Sequence, residues 1–106
     1  MIKEMTPEEF TERASAAPAP LLVDVREEWE LAIARLEQAV HIPMGELPDR
    51  MAELPRDRDI VLLCRSGMRS AQVTRFLERE GYERVWNLAG GILAWSERLD
   101  PSLTPY

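Results

Sequence analysis

The chain has 106 residues, with 13 Lys+Arg against 19 Asp+Glu and a formal net charge of −6; it contains one cysteine and one histidine. A chain of this length is expected to form one domain over 1–106, and a lone cysteine excludes an internal disulfide or a thiolate-cluster zinc site. The acidic balance argues against nucleic acid as a partner. No apolar run approaches the roughly 20 residues of a membrane span and Met1–Met5 has no apolar core of a secretory signal, so the expectation is a small soluble cytoplasmic domain without a membrane partner.

Thr6-Pro7-Glu8-Glu9 reads as a helix start, with Thr6 as cap, Pro7 in the first turn and Glu9 as the capping-box partner. That helix is expected to fade near Ala14, before a loop containing Pro18 and Pro20. Leu21–Val25 reads as a buried strand. Glu27–Leu36 reads as a helix, with Trp29, Ile33 and Leu36 at helical spacing. Ala39–Ile42 is a candidate short strand, and Gly45–Leu54 an irregular helix interrupted by Pro48 with Leu47, Met51 and Leu54 inward. Ile60–Leu63 is the clearest strand, since nothing polar interrupts it. Ser70–Glu80 reads as a helix closed by Gly81, with Val73, Phe76 and Leu77 on one face. Val85–Leu88 is a last strand, Gly90-Gly91 a tight turn and Ile92–Leu99 a final helix. Residues 100–106 form a proline-containing tail.

Strands alternating with helices imply crossover connections. The expected fold is α/β, a three-layer α/β/α arrangement with a small, mostly parallel sheet of about four or five strands. Ligands of such sheets bind beyond the C-terminal strand ends, and Cys64 lies at one.

Between Cys64 and the helix expected at Ser70 the chain must turn, and Gly67 permits left-handed backbone or close approach to a ligand. In that geometry the backbone N–H groups of Arg65 to Arg69 can converge as a nest, beside the positive end of the following helix. Each feature favours negative charge at the sulfur. A cysteine at a strand end is commonly a small buried hydrophobe. Two arginines and a glycine within five residues of it have no purpose as core filling, so the loop reads as functional. Charge supports this: residues 1–60 carry a net −7 and residues 61–106 a net +1, and Cys64–Ser70 holds two arginines and no acid.

Cys64-Arg65-Ser66-Gly67-Met68-Arg69-Ser70, following a buried strand, resembles the active-site loop of single-domain rhodanese-like sulfurtransferases. Asp24-Val25-Arg26-Glu27 with Trp29-Glu30 resembles the first signature of that family, and Gly90-Gly91-Ile92-Leu93-Ala94-Trp95 its C-terminal one. The resemblance covers nearly the whole chain. It implies a sulfur relay in which Cys64 takes the outer sulfur of a small anionic donor such as thiosulfate as a persulfide. Cyanide or a thiol, the thiophilic acceptor, then removes it. No metal or organic cofactor is implied. Arg65, Ser66, Gly67, Met68, Arg69 and Ser70 are the expected substrate-binding residues, with Arg69 turned into the cup and Arg65 facing either the site or solvent. Met68 is expected at the mouth, where an acceptor arrives. Asp24 and Arg26 belong, by resemblance, to the support of the site. The chain departs from the family at Ala34–Ala39, where relatives usually carry a Gly-His-Ile type stretch.

Three other readings stay open. A persulfide carrier passing sulfur to a partner protein is suggested by the tail from Trp95 to Tyr106, which resembles rhodanese-like modules fused to ubiquitin-like-activating enzymes. A non-catalytic interaction module is permitted by the fold alone. A cysteine-dependent phosphatase or arsenate reductase is disfavoured, because only four residues separate Cys64 from Arg69 where phosphatase loops have five. His41 and the tryptophans Trp29, Trp86 and Trp95 read as structural.

Overall fold

The sheet runs in the order β1-β5-β4-β2-β3, and every adjacent pair is parallel. The computed structural model describes residues 1–106. Its strands are β1 (Glu4–Met5), β2 (Leu21–Asp24), β3 (Val40–His41), β4 (Ile60–Leu63) and β5 (Val85–Leu88). Its helices are α1 (Pro7–Arg13), α2 (Glu28–Leu31), α3 (Leu47–Arg50), α4 (Met68–Arg79) and α5 (Gly91–Arg98). No helix is long and apolar enough to cross a membrane.

The unbroken apolar run of β4 has a direct cause. Ile60 and Leu62 enter one cluster, with Val23, Leu47, Val73 and Leu77, while Val61 and Leu63 enter another, with Met5, Phe10, Ile92 and Trp95. Successive side chains point to opposite faces, so a strand covered on both sides is apolar at every position. The α/β/α layering follows.

Several expectations are corrected. β1 was not read from the sequence: two residues carry no period, and Glu4–Met5 exists by pairing with Asn87 and Leu88 of β5. The second helix is four residues rather than Glu27–Leu36. Past Ala32 the chain turns off the helix: the N–H groups of Ile33 and Ala34 share the Glu30 carbonyl at 3.0 and 3.2 Å, and the Ala34 carbonyl goes to the buried Arg26 guanidinium at 2.8 Å. Trp29 and Ile33 are therefore exposed and outside the core, while Leu36 is buried. Pro48 does not interrupt α3 but lies in its first turn, and a 3-10 turn over Met51–Glu53 follows. Trp86 is half-buried rather than in the core; the cations of Lys3 and Arg13 each lie 5.0 Å from its ring centre. The capping box of Thr6 and Glu9 forms as expected.

Residues 100–106 do not leave the body: Leu103 and Tyr106 pack against the cluster containing Trp95. Ser96 Oγ donates to the Leu103 carbonyl at 3.0 Å, fixing the tail midway.

Candidate active site

Because all five strands are parallel, the residues after β2, β4 and β5 emerge on one edge of the sheet. Cys64, directly after β4, is 1% exposed. The chain then turns through Arg65 and Ser66 to Gly67, whose φ of 100° is open to glycine and strained for other residues. Gly67 is the N-cap of α4, so the helix begins at Met68, two residues before the expected Ser70. Ser70 is thus the third helical residue and not its cap.

That two-residue shift decides what surrounds the sulfur. Gly67 N–H donates to Cys64 Sγ at 3.1 Å, and Ser70 Oγ lies 3.2 Å from the same sulfur. Amides in the first turn of α4 have no carbonyl within the helix to bond, and the positive end of the helix dipole faces the same region. Ser70 Oγ is also 2.5 Å from Asn87 Oδ1. One hydroxyl has one proton, so it serves either the Asn87 oxygen or the sulfur. When it goes to Asn87, the Ser70 lone pairs are left to accept from a Cys64 thiol; when Cys64 is an anion, the proton can turn to the sulfur.

Asn87, at the end of β5, was not singled out in the sequence. Its Nδ2 donates to the Gly67 carbonyl at 3.1 Å and to Glu4 Oε2 at 2.9 Å, tying the loop to the edge strand. A polar residue within the short apolar pattern Val85-Trp86-Asn87-Leu88 was the available signal.

The start of α5 fastens the opposite side. The N–H groups of Ile92 and Leu93 donate to the carbonyls of Cys64 and Arg65 at 2.9 and 3.1 Å. The approach requires Gly91, with φ of 61°, because a Cβ there would collide with those two carbonyls.

The arginines depart from expectation. Arg69 does not turn toward the sulfur: its Nη1 and Nη2 donate to the two carboxylate oxygens of Glu30, each at 2.7 Å. These hydrogen bonds hold Arg69 above the ordinary guanidinium range, and charge from Glu30 and Cys64 adds in the same direction. Glu30 is 2% exposed. Its bonds from Arg69 push its carboxyl down to about 2, against an opposing effect of burial and with help from Glu27 N–H and the Tyr106 hydroxyl. Glu30 is the second residue of weight that sequence reasoning passed over. It stood inside a quoted signature, but nothing in one dimension placed it opposite Arg69.

Arg65 is exposed, yet it does not simply face solvent. Its Nε donates to the main-chain carbonyl of Tyr106 and its guanidinium lies 5.3 Å from that ring's centre. Met68, expected at the site mouth, is the first residue of α4 and is 76% exposed. Ser66 is exposed.

Asp24 and Arg26 form a fully buried pair beneath the site. Arg26 Nε and Nη2 bond both oxygens of Asp24 at 2.8–3.1 Å. Burial pushes the Arg26 guanidinium down, and its bonds to Asp24 and Tyr106 outweigh that. His41 lies 2.7 Å from the Arg26 carbonyl through Nε2, a structural contact.

Residues 6–98 match the family model described as Rhodanese-like domain. A protein of Allochromatium vinosum described as "Sulfurtransferase" is 42% identical over 99% of this chain and 98% of its own. A Bacillus subtilis protein described as "Putative sulfurtransferase YtwF" is 41% identical, covering 94% of this chain and 96% of its own. Among solved structures, a rhodanese-like domain protein from Staphylococcus aureus superposes with a TM-score of 0.83, at 30% identity over 99% of both chains. The strand-end cysteine, the loop bonded to the start of α5 and the matches along the chain's length lead to one conclusion: this chain belongs to the rhodanese-like domain family.

Proposed function

We propose that the protein is a sulfurtransferase in which Cys64 accepts sulfane sulfur from thiosulfate or a similar small anionic donor. The observation that carries this reading is the paired contact at the sulfur, Gly67 N–H at 3.1 Å and Ser70 Oγ at 3.2 Å, on a cysteine at the end of a rigid central strand. The Cys64 thiolate attacks the outer sulfur of the donor. The new bond joins Sγ to that sulfur, the donor's sulfur–sulfur bond breaks, and sulfite leaves with the electron pair. The acceptor, cyanide or a thiolate, then attacks the outer sulfur of the persulfide and returns Cys64 as thiolate. No proton is transferred in the cyanide reaction, so the absence of a general base beside Cys64 poses no difficulty. The Gly67 amide stabilises the anionic sulfur, and the exposed Arg65 draws the anionic donor.

Burial of Cys64 restricts what reaches it. The sulfur accepts a slim terminal atom, and the persulfide then extends about 2 Å beyond Sγ. In a second reading of the acceptor a partner protein takes the sulfur, and Met68, exposed next to Gly67 at the start of α4, is a side chain it would meet.

The test is to incubate the protein with thiosulfate, look by intact mass for one added sulfur, then add cyanide and assay thiocyanate. The expected result is a persulfide that cyanide removes, and none on Cys64→Ser. Absence of both persulfide and thiocyanate from the wild type would overturn the proposal. Transfer surviving Cys64→Ser would overturn the choice of nucleophile, and hydrolysis of an aryl phosphate would favour a phosphatase.

A further inference from the structure

Tyr106 touches both arms of the arginine system around the loop. Its main-chain carbonyl accepts from Arg65 Nε, and its ring lies against the Arg65 guanidinium at 5.3 Å. Its hydroxyl donates to Glu30 Oε1 at 2.8 Å and accepts from Arg26 Nη1 at 2.8 Å. Glu30 in turn holds Arg69 by both oxygens. Trp29, exposed on its own helix, presents its edge to the Tyr106 ring, with centroids 6.5 Å apart at 77°.

These contacts leave the useful part of Arg65 free. Only Nε and one face of its guanidinium are engaged, and Nη1 and Nη2 have no hydrogen-bond partner in the protein. A long arginine side chain on an exposed loop surrenders much of its rotamer freedom when it closes on an anion. An arginine already held by a carbonyl and a ring has given up that freedom beforehand. Tyr106 is not the tail's sole anchor, because Leu103 is fixed separately by Ser96.

We propose that Tyr106 is a positioning residue for the anionic sulfur donor: its main chain and ring set Arg65 as a fixed receiving arm for a thiosulfonate-type donor. The inference rests on the reading of Cys64 as the sulfur-accepting nucleophile. The neutral phenol can serve Glu30 as donor: burial, with the bond to Glu30, holds it above the ordinary tyrosine range against the effect of Arg26.

The experiment compares steady-state transfer from thiosulfate to cyanide by wild type, Tyr106→Ala and Tyr106→Phe, with thermal unfolding of each. Tyr106→Ala is expected to raise KM for thiosulfate about 3- to 10-fold while KM for cyanide moves less than about twofold. Tyr106→Phe keeps the ring and the carbonyl, so its donor KM is expected within about threefold of wild type. In an Arg65→Ala background most of the Tyr106→Ala effect on donor KM should disappear, as it does when two residues act through one contact. A loss of stability with no split between the two KM values, or effects that multiply fully with Arg65→Ala, would overturn this inference alone. A wild type that forms neither persulfide nor thiocyanate would overturn the reading of Cys64 and this inference together.

Discussion

Glu30, in the second helix, and Arg69, 39 residues later in the first turn of α4, meet as carboxylate and guanidinium fork with both contacts at 2.7 Å. The pair clamps the Cys64 loop to the segment after β2. Arg69 thereby gives up two of its donors, and its charge reaches Cys64 across space while its hydrogen bonds go to the carboxylate.

The clamp has a pH signature. The Glu30 carboxyl is held down to about 2 from an ordinary 4.5. A depressed carboxyl contributes stability that is complete above pH 4.5 and is lost as pH falls through the window from 4.5 to 2. Because the Arg69 side chain is 36% exposed, screening reduces the contribution to about 1–2 kcal/mol. Urea unfolding of wild type and Glu30→Gln from pH 7 to pH 2.5 checks this: wild type should be the more stable at pH 7, and the gap should narrow through that window. A gap of constant size would contradict it.

Ser70→Ala removes a hydroxyl shared by the sulfur and Asn87. The buried Asn87 oxygen is then left without its donor, a loss of about 1–3 kcal/mol. Sulfur transfer should fall as well, since Cys64 keeps only the Gly67 contact among those given by its loop. Chemical denaturation and single-turnover persulfide formation read the two effects separately, and an unchanged rate would remove Ser70 from the site.

Gly91→Ala introduces a methyl group where the Cys64 and Arg65 carbonyls lie, at a backbone angle of 61° that alanine adopts with strain. The strain alone is worth about 1–3 kcal/mol. Displacement of the loop is expected to lower transfer by on the order of 100-fold. Thermal unfolding and the thiocyanate assay measure both, and near-normal transfer would show that the carbonyl anchors do not position the sulfur.

Asp24→Asn leaves the fully buried Arg26 cation without its charged partner. Breaking a buried pair on one side costs about 3–5 kcal/mol, a large share of the stability of a domain this size. A melting temperature within a few degrees of wild type would refute that assignment.

The layers were legible because β4 is apolar at every position and because Pro18, Pro20, Gly81 and Gly90-Gly91 punctuate the chain. The Cys64 loop was legible as a turn between strand and helix because its residues are contiguous. What one dimension concealed was partnership. Arg69 looks like an anion ligand until Glu30, which a buried fold brings beside it, is known. The Glu27–Leu36 periodicity is real, yet the helix stops after Leu31 and the chain beyond it is held by Arg26, whose guanidinium bonds the Ala34 carbonyl. Tyr106 and Asn87 gave little sign, since each matters only through residues about 20 to 80 positions distant.

The hydrogen bonds from Ile92 and Leu93 to the Cys64 and Arg65 carbonyls also have a temporal meaning. A chain made from its N-terminus emerges with the cysteine and its loop already present, but without the residues that pin them. Only when the segment through residue 93 has cleared the ribosome can the loop acquire its shape. The surroundings of Cys64 are thus completed only after residue 93 has emerged, when the strands and helices before it have had the chance to fold.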